Sequence, residues 1–159
     1  MKYLAMGIIG VVLLISLYSD IRYRKIYNKV TFPVFITGFF ISLSYSFLYG
    51  KWMGLGMWFL GFMIGVVCSW AFEKGALWAA GDSKLFLACL LWLMLFVHPL
   101  IASAALAGAV LFLHFGLNVV LRLMKFYTVR ITWFNKRLPK GQYPGAITIA
   151  LAVLLVVVI

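Results

Sequence analysis

Long apolar segments separated by short polar ones run along the whole chain. A helix needs about 20 apolar residues to cross a hydrocarbon layer of about 30 Å. Six segments approach that length, so the pattern predicts an all-α bundle of six transmembrane helices. Tight breaks at Gly50-Lys51 and His98-Pro99 separate the second span from the third and the fourth from the fifth. The predicted spans are Tyr3–Ser19, Val30–Tyr49, Trp52–Phe72, Ala76–Val97, Leu100–Leu121 and Tyr143–Ile159.

The fourth span is unusual because its uninterrupted apolar part, Leu85–Val97, is too short to cross a membrane. Thirteen helical residues extend only roughly 20 Å. The helix must therefore begin near Ala76 or Trp78, which brings the polar residues 81–84 to the headgroup level or below it. A carboxylate at mid-helix costs about 2.5–3.5 kcal/mol on insertion scales and less near an interface, so Asp82 is a candidate functional residue.

Composition supports the same class of protein. The chain has 159 residues, enough for a single domain over 1–159. Hydrophobic residues make up 66% and charged residues only 11%, and the mean hydropathy is +1.11. Soluble globular proteins contain about half apolar residues, so this composition excludes them and indicates a multi-pass membrane protein.

The basic residues predict how the bundle is oriented. Twelve of the 14 Lys and Arg residues fall after span one, around span four's start and between spans five and six, whereas only Lys2 and Lys51 fall on the other side. The positive-inside rule then places those three segments in the cytoplasm and both termini outside. The expected location is the cytoplasmic (inner) membrane.

The net charge of +11 raises the question of nucleic acid binding. Residues 122–142 interleave basic and aromatic side chains, a pattern that also occurs in single-strand-binding proteins. In a loop next to the membrane, this pattern more often lies on the anionic inner leaflet. We therefore expect the lipid bilayer, and no nucleic acid, to be the partner of this loop.

The whole sequence contains three acidic residues, Asp20, Glu73 and Asp82. An even number of predicted crossings separates Asp20 from Asp82, so both should face the same side of the membrane. Two neighbouring carboxyl groups share one proton, and such a pair can activate water while donating a hydrogen bond to an amide carbonyl. The alternative is that each aspartate caps a helix or balances nearby basic residues. Glu73, beside Lys74 at a helix end, is expected to be solvated or ion-paired.

Other features predict structure more than chemistry. Gly61 and Gly65 form a GxxxG pattern, which favours close helix packing either within one bundle or between two copies in a homo-oligomer. His114 lies alone in span five without a partner at ligand spacing. We expect no metal and no organic cofactor.

Three stretches carry a resemblance to a known family. Asp20-Ile21-Arg22-Tyr23-Arg24-Lys25-Ile26-Tyr27-Asn28 resembles the "D-x-R-x-R-x-I-P-N" segment of type IV prepilin peptidases, with Tyr27 in place of proline. Gly81-Asp82-Ser83-Lys84-Leu85 resembles that family's second aspartate motif, G-x-G-D-x-K-L, with Ala79 in place of the first glycine. Tyr143-Pro144-Gly145-Ala146-Ile147 resembles its "P-Y/F-G-x-A-I" stretch, with the aromatic residue and the proline exchanged.

The resemblance implies a membrane aspartyl endopeptidase that removes the short basic leader of a prepilin-like protein at the cytoplasmic interface. Asp20 and Asp82 would be catalytic, Lys84 would bias which of them ionises, and Gly81 would allow close backbone approach. The paired C-x-x-C motifs of the long family members are not present in this sequence. It therefore resembles the short form, for which we expect no methyltransferase activity.

Three alternatives stay open at this point. Presenilin-like proteases share a G-x-G-D aspartate, but their partner aspartate usually follows a tyrosine in mid-span, whereas Ser19 precedes Asp20 here. A small ion-coupled transporter or channel would use Asp82 and Lys84 as an intramembrane relay. A purely structural assembly partner would leave the two aspartates unexplained.

Overall fold

The computed structural model describes residues 2–23, 25–74, 80–123 and 145–158, and the regular elements in these ranges are all helices. Helical hydrogen bonding runs through Asn28–Lys74, which contains two separate spans. We therefore number six helices in chain order. They are α1 Lys2–Tyr23, α2 Asn28–Tyr49, α3 Met53–Lys74, α4 Ala80–Leu93, α5 Pro99–Leu123 and α6 Gly145–Val158.

The two spans α2 and α3 form an antiparallel hairpin that reverses at the predicted break. A Cβ atom added to Gly54 would lie 2.8 Å from the carbonyl oxygen of Ser46, whereas residues eight apart in a straight helix are about 12 Å apart. Farther from the turn, the Trp58 indole N–H donates to Ser42 Oγ at 3.0 Å. The Phe39 ring packs edge-on against Trp58. The chain therefore folds back on itself between Ser46 and Gly54.

Within the described residues, four helices are long and apolar enough to cross a membrane: α1, α2, α3 and the Pro99–Gly116 part of α5. The predicted helical class is therefore confirmed, together with several membrane-spanning helices. Helices α4 and α6 have 14 residues each. Six complete crossings and the location of the termini stay predictions.

Helix α4 lies at the centre of the bundle. Ten of its 14 residues are buried, including Leu85, Phe86, Leu90 and Leu91, which are fully enclosed. Large apolar side chains on the outer helices, such as Phe40 and Phe112, are exposed instead. A bilayer solvates apolar groups, so these exposed side chains can face lipid. The outer helices then surround the buried helix α4.

Two predicted helix ends are wrong. Helix α1 continues past Ser19 to Tyr23, so Asp20 lies within its last turns and not at its end. Helix α4 ends at Leu93 and not at Val97. Between Leu93 and α5 the chain forms tighter turns, in which the Phe96 N–H donates to the Leu93 carbonyl at 3.1 Å. Hydropathy marks where a helix leaves the apolar layer, whereas hydrogen bonding decides where it stops. The predicted start of α4 near Ala76 or Trp78 lies outside the described residues.

The GxxxG glycines face the interior of this bundle. An added Cβ at Gly61 would lie 2.7 Å from the backbone oxygen of Pro99, at the start of α5. At Gly65 it would lie 2.1 Å from a Leu90 methyl group on α4. Both glycines therefore allow close packing within one chain, which was one of the two alternatives for this pattern.

Replacing Gly61 with alanine is expected to destabilise the bundle, because the contacted atoms belong to backbone and cannot rotate away. Overpacking of this kind typically costs about 1–3 kcal/mol. Thermal unfolding of the purified protein in detergent should show a lower Tm. Gly56→Ala on the same helix is the matched control, since its added Cβ meets no described atom within 4 Å. Equal Tm values for both variants would contradict this packing.

Candidate active site

Asp20 is buried near the end of α1, with 7% of its surface exposed. Its Oδ2 accepts a hydrogen bond from the Ala146 backbone N–H at 3.2 Å. Ala146 lies in the first turn of α6, where backbone N–H groups lack partners within the helix. The positive end of the helix dipole also stabilises a nearby negative charge. The start of α6 is therefore well suited to hold Asp20 as a carboxylate.

Asp82 lies in the first turn of α4 and is also 7% exposed. Its carboxyl group packs directly against Gly145, the first residue of α6. A Cβ atom at Gly145 would lie 2.4 Å from Cγ and 2.5 Å from each carboxyl oxygen of Asp82. Only glycine leaves room for this approach.

The two carboxyl groups thus contact consecutive residues, Gly145 and Ala146, although they are distant in the sequence. With standard backbone dimensions, these contacts place the nearest carboxyl oxygens within about 10 Å of each other. The structure brings Asp20 and Asp82 to the same end of the bundle, at the first two residues of α6.

Gly81 packs against the connection between α1 and α2. An added Cβ there would lie 3.3 Å from Cβ of Ile26, a buried residue of that connection. Glycine at this position lets the chain that follows Asp20 pack closely on the start of α4. The contact joins the two aspartate-bearing segments.

Lys84 contacts Asn28 and extends the same junction. Its amine donates to Asn28 Oδ1 at 2.9 Å, at the first residue of α2. Residues two apart on a helix do not face each other, which explains why the Lys84 amine points to α2 although Asp82 is close in sequence. This hydrogen bond links α4 to α2. The expected influence of Lys84 on the ionisation of the aspartates stays a prediction.

Glu73 and Ser83 join α3 to α4. The Ser83 hydroxyl donates to Glu73 Oε2 at 3.1 Å. Ser83 follows Asp82 directly, so Glu73 lies near the first turn of α4, which carries Asp82. Glu73 lies at a helix end, as predicted, whereas its contact with Ser83 was not predicted.

Sequence reasoning missed three residues of this site: Asn28, Gly145 and Ala146. All three lie within stretches that resemble the family motifs, which was the available signal. It could not show that a backbone N–H contacts Asp20 or that Asp82 packs against Gly145.

Other sequence predictions lie away from this site. Among the described residues, no group of three or more His, Cys, Asp or Glu side chains could hold a metal ion. His114 lies in α5 and is half-buried. The basic and aromatic loop 122–142 falls almost entirely outside the described residues.

Comparison with known proteins agrees with the motifs. The model of the type IV leader peptidase family matches residues 7–159, which include both aspartates and the start of α6. Comparison with curated proteins and with solved structures gives no match. Because the family model covers nearly the whole chain, this protein belongs to the type IV leader peptidase family.

Proposed function

We propose that the protein is an aspartic endopeptidase that removes the short basic leader of a prepilin-like protein. Membership of the leader peptidase family supports aspartic peptidase activity and does not favour the transporter alternative. The observation that carries the proposal is the contact of Asp20 and Asp82 with consecutive residues of α6. The expected substrate has a leader in water and a hydrophobic helix in the bilayer, with cleavage at the junction.

In the proposed mechanism, Asp20 is the general base. Its Oδ2 accepts the Ala146 N–H at the positive end of α6, an arrangement that stabilises a carboxylate. Asp82 also lies at a helix N-terminus, in the first turn of α4, so we assign the base to Asp20 on the strength of its hydrogen bond to Ala146. Asp82 carries the proton that the pair shares and donates a hydrogen bond to the scissile carbonyl. Two close carboxyl groups resist double ionisation, which keeps one proton on the pair.

The chemical step needs no group beyond these two. Asp20 removes a proton from a water molecule as the water oxygen bonds to the scissile carbonyl carbon. At the same time, Asp82 donates its proton to the carbonyl oxygen. The tetrahedral intermediate then breaks its C–N bond. The leaving amine takes the proton from Asp20, and Asp82 recovers its own as the new carboxyl group forms.

We place this site at the cytoplasmic interface of the membrane. The positive-inside distribution of Lys and Arg supports that side, since Asp20 and Asp82 adjoin the basic segments. The scissile junction of a leader-bearing substrate would lie at the same depth. The basic loop 122–142 would then contact the anionic lipids of that leaflet.

Co-expression with candidate prepilins from the same genome tests the proposal. A leader-bearing substrate should shift to lower mass when the protein is present, as shown by gel mobility and by mass spectrometry of its new N-terminus. The transporter alternative predicts a different result: solute flux into proteoliposomes without cleavage of any leader.

The Lys84–Asn28 link is expected to position the site. Lys84→Met or Asn28→Ala removes one hydrogen bond between α4 and α2, and a loss of about three- to tenfold in kcat/KM should follow. Asn28→Asp should retain most activity, because its carboxylate still accepts from the amine. Lys29→Met, at an exposed neighbouring position, is the matched control. Unchanged kcat/KM in both link variants would contradict a positioning role.

A further inference from the structure

The chain has very few groups that could bind a cation. It contains three acidic residues against 14 Lys and Arg, and two of the acids form the proposed catalytic pair. Glu73 is therefore the only carboxylate side chain outside that pair. A cationic side chain of a substrate would be repelled by most of this protein and attracted to Glu73.

Glu73 is held near the first turn of α4, and its side chain is exposed, whereas its partner Ser83 is buried. The 3.1 Å hydrogen bond from Ser83 uses one carboxylate oxygen and ties Glu73 to the residue that follows Asp82 in α4. The carboxylate is thus anchored on its protein side while its other side is accessible.

The position of Glu73 in its helix is electrostatically unfavourable. It lies in the last turn of α3, next to the terminal Lys74. A negative side chain at a helix C-terminus opposes the helix dipole, typically by about 0.3–1 kcal/mol. Residues that break such a local rule are found preferentially at functional sites.

From these observations we infer that Glu73 is a specificity-determining residue that binds a Lys or Arg side chain of the substrate. This inference rests on the proposed function. Since Glu73 is tied to the residue next to Asp82, and an extended substrate rises about 3.3 Å per residue, the bound cation lies within about three residues of the scissile bond. The group that Glu73 selects is therefore a Lys or Arg side chain of the leader, on the N-terminal side of the scissile bond.

A leader-exchange experiment tests this role. Peptidase activity is measured on three versions of one substrate that the protein cleaves. The cationic leader residue nearest the scissile bond is Lys in the first version, Gln in the second and Glu in the third. In Glu73→Gln, the ratio of kcat/KM for the Lys leader to that for the Gln leader should fall about tenfold, because a charge-assisted hydrogen bond is lost. Glu73→Lys should shift preference to the Glu leader. Lys74→Gln is the matched control, and its ratio should stay at or above that of the wild type.

The possible outcomes separate the two proposals. If Glu73→Gln lowers kcat/KM equally for all three leaders, or changes none, the specificity role is wrong while the peptidase assignment stands. If the wild-type protein cleaves no leader of any charge, the proposed function is wrong and this inference falls with it. Glu73→Gln keeps an oxygen that accepts from Ser83, so the α3–α4 contact should survive in that variant.

Discussion

Asparagine at position 20 or at position 82 is expected to abolish leader removal. The substitution preserves the size of each side chain but removes its ability to exchange a proton. Loss of a general acid or base typically lowers the rate about 10²- to 10⁴-fold, and here one pair supplies both functions. The measurement is the fraction of co-expressed substrate that loses its leader, determined together with the amount of each variant in the membrane fraction.

The double variant Asp20→Asn/Asp82→Asn provides an internal check on the pair. Residues that act as one catalytic unit show strongly non-additive losses. The double variant should therefore be about as inactive as either single variant. Processing at the wild-type rate by either single variant, in protein that inserts normally, would end the aspartyl mechanism.

Alanine at position 145 should be nearly as damaging although it removes no reactive group. The added Cβ would lie 2.4 Å from Cγ of Asp82, so the carboxyl group or the start of α6 must move. A displacement of about 1 Å in a catalytic group can cost about 10²-fold in rate. We expect a loss of about that size in kcat. KM should change much less, because the substrate contact that we propose for Glu73 lies on α3 and is not displaced.

The control for this variant is Gly10→Ala, on α1. Its added Cβ meets no described atom within 4 Å, so its activity and Tm should match the wild type. Gly145→Ala with wild-type kcat would show that the close approach of Asp82 to α6 is unnecessary for catalysis.

Much of the fold could be predicted from hydropathy alone. The long apolar segments gave the helices, and the break at Gly50-Lys51 gave the hairpin of α2 and α3. The errors fall at helix ends, because Asp20 and the residues after it continue α1 in a region that hydropathy does not describe as a span. The chain after Leu93 leaves the helix while it is still apolar, since α5 begins at Pro99.

The candidate site was predictable where side chains carry the chemistry. In a chain with three acids, Asp20 and Asp82 stand out by scarcity and by their place at predicted interfaces. The partners Gly145 and Ala146 act through a missing side chain and a backbone N–H, which no residue type reveals. The hydrogen bond from Lys84 to Asn28 joins residues 56 positions apart in the sequence, a contact that no local pattern indicates.

The most direct test uses purified protein in detergent with one leader-bearing substrate in ¹⁸O-labelled water. Mass spectrometry of the products should show a single cut at the junction of leader and hydrophobic helix, with one ¹⁸O atom in the new carboxyl group. The variant that lacks both aspartate carboxyl groups should leave the substrate intact. Cleavage of the same bond at the same rate by that variant would contradict the account.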